Sequence, residues 1–106
     1  MPKYLVRASY TTEGTKGLLA EGGSGRKEAV EQVLRSCGGT LDWMYFAMGE
    51  DDLYLVLDMP DEVAMVATSM AVRATGAVQS TAVPLLSVAD IDAAARKVVD
   101  FRPPGA

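Results

Sequence analysis

Histidine is absent from the 106-residue chain. Its absence excludes Ser-His-Asp and Cys-His nucleophile systems and every metal site that needs an imidazole ligand. It also removes the side chain best suited to proton transfer near neutral pH. We therefore expect no metal site and no cofactor, and any acid-base chemistry would fall to carboxylate and tyrosine groups.

Cysteine and long apolar runs are also scarce. Cys37 is the single cysteine, so no disulfide can form within the chain, and a reducing, cytoplasmic compartment is the expectation. It lies near the C-terminus of a predicted helix, where a thiolate is disfavoured, and we interpret it as a small core residue. The N-terminus lacks the apolar run of a signal peptide, and no stretch approaches the ~20 apolar residues of a membrane span.

Positive charge is in the minority, with 10 Lys and Arg residues against 14 Asp and Glu residues and a net charge of -4. Nucleic acids and anionic membranes both require a basic face, so we predict neither as a partner. Apolar residues make up 49% of the chain, which indicates a globular protein. We predict one domain over residues 2–99 and a tail over 100–106. Such a short chain buries a modest core, and self-association would add to it.

The hydrophobic pattern predicts the order β-α-β-β-α-β with one added helix. Strands are expected at Lys3–Tyr10, Thr40–Met48, Asp52–Asp58 and Ala77–Leu86. Helices are expected from about Gly25 to Cys37, from Pro60 to Gly76, and from Ser87 to about Val99. The prediction is therefore an α+β, ferredoxin-like fold: a four-stranded antiparallel sheet with two helices on one face.

The glycine-rich stretch Gly14–Gly25 is interpreted as a mobile loop containing a short helical turn. It lacks the spacings of phosphate-binding loops, and a flap over a cavity mouth is the functional alternative. The acidic turn Glu50–Asp52 lacks the ligand spacing of a calcium loop and is interpreted as solvated. In the second helix the predicted core face is Val63, Val66, Ala67, Met70, Ala71 and Ala74. Met65 and Val72 are predicted to lie off that face.

The sheet has a second face that the two helices leave uncovered. In the second strand the side chains on both faces are mostly apolar. One face carries Leu41, Trp43, Tyr45 and Ala47, and the other carries Asp42, Met44, Phe46 and Met48. A sheet that is apolar on both faces is typical of a dimer in which two sheets pack together. The alternative is a partly open face with long side chains folded over it.

Five residues of this second face form the candidate ligand-binding set: Arg7, Trp43, Tyr45, Tyr54 and Asp58. Arg7 and Asp58 are expected on neighbouring strands of this face, where they would either anchor a small anionic or polar ligand or form a structural ion pair or an interface contact. The three aromatic residues would line a cavity between two sheets or pack an interface.

Several short segments resemble the GYD-domain family of small bacterial proteins. They are Tyr4-Leu5-Val6, Ala8-Ser9-Tyr10-Thr11, Gly17-Leu18-Leu19, Glu21-Gly22-Gly23, Arg26, Glu28-Ala29-Val30, Gly38-Gly39, Tyr45-Phe46-Ala47, Gly49-Glu50-Asp51-Asp52, Gly76-Ala77-Val78 and Thr81. Gly49 and Asp52 match the Gly-Tyr-Asp motif of the family, whereas Asp51 stands at the expected tyrosine. The resemblance implies a ferredoxin-like fold related in shape to dimeric α/β-barrel proteins, and it supplies no catalytic residues.

Three functional hypotheses follow. The leading one is a homodimer or larger homo-oligomer that encloses a small-molecule pocket, lined by Arg7, Tyr45, Tyr54 and Asp58. The second is a cofactor-independent enzyme acting on a small organic metabolite. In it, Asp58 or Asp42 is the base, Tyr45 or Tyr54 is the acid and Arg7 stabilises an oxyanion. The third is a structural or interaction module without a pocket.

Overall fold

A computed structural model describes all residues 1–106. Its strands are β1 (Lys3–Tyr10), β2 (Thr40–Phe46), β3 (Leu53–Asp58) and β4 (Val78–Leu85). Its helices are α1 (Thr12–Ser36), α2 (Glu62–Ala74) and α3 (Val88–Ala95). The predicted order β-α-β-β-α-β with an added helix is confirmed, and so is the ferredoxin-like α+β class.

The four strands form one antiparallel sheet in the order β2-β3-β1-β4. Its core lies against α1 and α2 and is built from alternate residues of the two central strands, which point to one face. These residues are Tyr4, Val6, Ala8, Leu53, Leu55 and Leu57. Leu57 and Met59 are the largest fully buried side chains, and each is expected to contribute about 1.5–3 kcal/mol through burial.

The stretch predicted as a mobile loop, Gly14–Gly25, is instead part of α1. The helix begins after Thr11, whose side-chain oxygen accepts a hydrogen bond from the Gly14 backbone N–H at 3.3 Å. Gly22 adopts φ +74° and kinks the helix, a conformation that suits glycine. Gly14 packs so closely on the residue before β4 that an added Cβ would lie 2.0 Å from the Ala77 carbonyl oxygen. The prediction was wrong because tertiary packing overrides the low helix propensity of glycine.

The prediction for the buried face of α2 was also wrong. Met65 and Thr68 are buried, whereas Val63 is 77% exposed and Met70 is 66% exposed. Apolar residues surround most of this helix, so the helical period alone does not select one face. Its packing against the sheet turned Met65 inward.

A β-bulge in β2 changes the predicted rows of that strand. The register with β3 shifts between Leu41 and Trp43, so Asp42 is the extra residue. Leu41 therefore shares the helix-facing side with Met44, and Asp42 joins Trp43 on the opposite side. A bulge adds one residue to one strand and so reverses a strict alternation.

The C-terminal arm, residues 86–106, stands away from the domain. Helix α3 has a capping box between Ser87 and Asp90, but none of its residues is buried. It ends at Ala95, short of the predicted Val99. The radius of gyration is 17.1 Å and the longest extent 58 Å, whereas a compact chain of this length has a radius of about 13 Å. None of the three helices combines the length and apolar character needed to cross a bilayer.

Candidate functional site

The strand register brings all five candidate residues to the sheet face opposite the helices, here called the open face. Residues paired across neighbouring strands point to the same side of a sheet. Tyr45 pairs with Tyr54, Tyr54 pairs with Arg7, and Arg7 pairs with Thr81. These four residues form a row across the sheet, which we call the polar row.

A second row, the apolar row, lies two residues further along each strand. It consists of Trp43, Val56, Leu5 and Val83, again in register across all four strands. The Trp43 ring meets the Tyr45 ring edge to face, with centroids 5.6 Å apart. Trp43 is 42% exposed and Tyr45 67% exposed. The open face thus carries a continuous apolar strip beside hydroxyl groups and a guanidinium.

Three charged residues, Lys3, Asp42 and Asp58, form an ion cluster at one end of the open face. Lys3 Nζ donates hydrogen bonds to Asp42 and to Asp58, the second at 3.0 Å. The bulge in β2 is what brings Asp42 to this cluster. Arg7 and Asp58 lie on the open face and on the paired strands β1 and β3, as expected, but the register sets Asp58 opposite Lys3 and Arg7 opposite Tyr54, so the two do not form an ion pair.

The ion cluster favours the charged forms of Lys3 and Asp42. Hydrogen bonds to Asp42 and Asp58 raise the pKa of Lys3 above its usual value. The bond from Lys3 is the largest cause that lowers the pKa of Asp42. A general base that works near neutral pH needs the opposite shift. Asp42 and Asp58 are therefore engaged as partners of an ammonium group.

Arg7 has no ion-pair partner in the chain. It lines a polar groove of about 530 Å³, together with Ser9, Thr11, Asp51, Arg73, Gly76, Val78, Gln79, Ser80 and Thr81. Nearby, the Tyr54 hydroxyl donates to Asp51 Oδ2 at 3.3 Å. The groove adjoins the end of the polar row and offers two guanidinium groups to an anion.

Several residues of this face were not foreseen as site residues. Lys3 and Thr81 follow from the strand alternation once the register is known, whereas Arg73 comes from α2 and gave no signal in the sequence. Cys37 packs beside the core, as predicted for a small apolar residue. The neighbouring hydroxyl groups of Thr68 and Ser36 lower the pKa of Cys37, opposite in direction to the effect expected from a helix C-terminus.

Comparison with known proteins identifies the family. The family model of the GYD domain matches residues 4–95, which is most of the chain. The chain belongs to the GYD domain family. Searches of curated proteins and of solved structures each gave no significant match.

In this GYD domain the turn that carries Gly49 and Asp52 has a structural task. Asp52 Oδ2 accepts a hydrogen bond from the Tyr10 backbone N–H at 2.9 Å. The backbone N–H of Asp52 donates to the Ala8 carbonyl, also at 2.9 Å. Asp52 therefore ties the β2–β3 connection to the end of β1. Asp51, at the expected tyrosine, accepts from Tyr54 instead.

Proposed function

We propose that this GYD domain protein is a homodimer whose two open faces pack together and enclose a small-molecule pocket. Trp43, Tyr45, Tyr54, Arg7 and Asp58 would contribute to its wall. The observation that carries the proposal is the gathering of these side chains, in register, on the sheet face that no helix covers.

Self-association is supported by uncovered apolar surface. Trp43 and Val83 of the apolar row are exposed in the single chain. A contiguous apolar strip rimmed by charged groups is typical of an interface core. The C-terminal arm adds Ile91, Val99 and Phe101, which are exposed as well. A second copy would bury surface that so small a domain cannot bury alone.

A pocket, rather than a filled interface, is supported by the polar row. Packing two open faces together would remove water from Arg7, which has no ion-pair partner in the chain. A buried guanidinium without a partner is costly, and a carboxylate or another oxygen-rich group would satisfy it with two parallel hydrogen bonds. The ligand class we propose is therefore a small organic anion, with its apolar part against Trp43.

The acid-base alternative has less support. Its two candidate bases, Asp42 and Asp58, both accept hydrogen bonds from Lys3. That arrangement lowers the pKa of Asp42 and occupies an oxygen of each carboxylate. We therefore propose binding, and not proton transfer, as the task of the open face.

Sedimentation velocity and native mass spectrometry of the untagged protein test the proposal. We expect a dimer that Leu5→Glu converts to a monomer, because the charge would enter the apolar row. Met70→Glu is the matched control, since Met70 lies on the exposed side of α2, and it should stay dimeric. A wild-type monomer at micromolar concentration would contradict the paired sheets.

The pocket has its own readout in the same experiment. A retained small molecule appears as extra mass that disappears on denaturation, and Arg7→Gln should lose that mass while remaining dimeric. A dimer with no extra mass and no affinity for added small carboxylates would contradict the pocket and favour the purely structural module.

A further inference from the structure

A second concave site lies on the other side of the sheet. It is a cavity of about 270 Å³ between the sheet, α1 and α2. Its walls are mostly apolar and come from all three layers, among them Val6 and Leu55 of the sheet, Val33 of α1, and Met65 and Val72 of α2. Helices α1 and α2 make few contacts with one another, which leaves the space between them open.

Small side chains maintain this cavity. Ala8, Ser69 and Ser80 contribute to its wall at positions where larger residues would fill it. Protein interiors rarely contain voids much larger than a water molecule, because close packing stabilises the fold. A mostly apolar hollow with a few polar groups is the usual character of a small-molecule site.

Tyr10 supplies an unsatisfied polar group at the wall of this cavity. Its hydroxyl is the one buried side-chain polar atom of the chain that has no hydrogen-bond partner. Burial raises the pKa of Tyr10, so the phenol keeps its proton and remains a donor at neutral pH. A buried donor without a partner costs free energy, and native structures usually satisfy it.

Two other polar residues of the wall, Thr68 and Arg26, already have hydrogen-bond partners within the chain. The hydroxyl of Thr68 donates to the Ala64 carbonyl at 2.9 Å and is satisfied. Arg26 is held by Glu21, with Nη1 3.1 Å from Oε1. Tyr10 therefore carries the buried donor that the chain leaves without a partner, and Arg26, the one charged residue of the wall, is already paired.

We propose that the cavity between α1, α2 and the sheet binds a small, largely apolar organic molecule whose hydroxyl or carbonyl oxygen accepts a hydrogen bond from Tyr10. An engineered apolar cavity of about 150 Å³ accommodates benzene. The larger volume here suits a substituted ring or two fused rings. This ligand is neutral and apolar, in contrast to the anion proposed for the open face.

Titration of the full-length protein with 1-naphthol and with naphthalene tests the proposal. We expect saturable binding of both probes. Tyr10→Phe should weaken 1-naphthol about fivefold, through the loss of one neutral hydrogen bond, and leave naphthalene unchanged. Ser69→Leu should fill the cavity and abolish binding of both probes. Ala67→Leu on the exposed side of the same helix is the matched control and should bind both like the wild type.

Two-dimensional NMR separates this site from the open face. Binding in the cavity should shift the methyl signals of Val33, Leu55 and Val72 and leave the indole N–H signal of Trp43, the single tryptophan, unmoved. A shift of the indole with unmoved methyls would assign the probe to the open face and overturn the proposal. So would the absence of saturable binding of both probes up to their solubility limits. Circular dichroism verifies the fold of each variant, and the Tyr10→Phe comparison decides the matter should Ser69→Leu not fold.

Discussion

Lys3 Nζ lies 3.0 Å from Asp58 Oδ2, across the paired strands β1 and β3. Arg7, which lies roughly 13 Å further along β1 by the rise of a strand, is opposite Tyr54 and free of any ion pair. One pairing register thus gives the two basic residues of β1 different environments. Lys3 binds two carboxylates at one end of the open face. The guanidinium N–H groups of Arg7 have no carboxylate partner and are therefore available to a ligand.

The ion cluster predicts how stability depends on pH. The folded pKa of Asp42 is below its ordinary value of 3.8, so its contribution is present above that value and lost as the pH falls through the folded pKa. The folded pKa of Lys3 is above 10.5, so its contribution is present below that value and lost as the pH rises through the folded pKa. In Lys3→Met the melting temperature should therefore fall most between about pH 5 and pH 9.

Melting curves across the pH range measure this effect. Lys16→Met is the control, because Lys16 and Glu13 form an exposed pair 3.4 Å apart, and such pairs contribute little. A deficit in Lys3→Met that is the same at every pH would show that the cluster does not titrate as described.

Two glycines of α1 should respond oppositely to alanine. Gly14→Ala places a Cβ 2.0 Å from the Ala77 carbonyl oxygen, and we expect a loss of about 1–3 kcal/mol in the free energy of unfolding. Gly17 has open space around the added Cβ, and Gly17→Ala should stabilise by up to about 1 kcal/mol through helix propensity. Urea denaturation measures both. Equal effects would argue against the continuous helix through this stretch.

Two methionines of α2 test which side of the helix is buried. Met65 is 5% exposed, on the side that faces the core, and Met65→Ala should lower the free energy of unfolding by about 2–4 kcal/mol. Met70 is exposed, and Met70→Ala should change it by less than about 0.5 kcal/mol. Urea denaturation of the two variants side by side decides the question, and the reverse order would support the face inferred from the helical period.

The β2–β3 turn should depend on Asp52 and not on its neighbour Glu50. Asp52→Ala removes the acceptor of the Tyr10 N–H, and we expect a loss of about 1–2 kcal/mol in the free energy of unfolding. Asp52→Asn keeps an acceptor oxygen and should lose less. Glu50 is exposed and its carboxylate makes no hydrogen bond, so Glu50→Ala should be neutral in thermal denaturation. Similar losses at both positions would contradict a specific tie through Asp52.

The strands were predictable because β-branched and aromatic residues alternate within short runs bounded by turn residues. The antiparallel four-stranded sheet with helices on one face then followed from short connections of fixed handedness. Placing the five site residues on one face followed too, since strand alternation leaves only two faces to choose between. Their pairing did not follow, because a slip of two residues keeps every side chain on the same face and changes only its partner.

The sequence alone determined the element order, the α+β class, the lack of imidazole chemistry and the presence of a sheet face with apolar and aromatic residues. These features follow from the amino-acid composition and from the periodicity of apolar residues within single elements. Neither depends on contacts between distant segments. Tertiary structure decided the helix that runs through Gly14, the inward turn of Met65, the bulge at Asp42, the pairing of Lys3 with Asp58 and the cavity beside Tyr10. Each of these features results from packing between segments far apart in the chain. The space that one element leaves decides which side of another element is buried and in which register two strands pair.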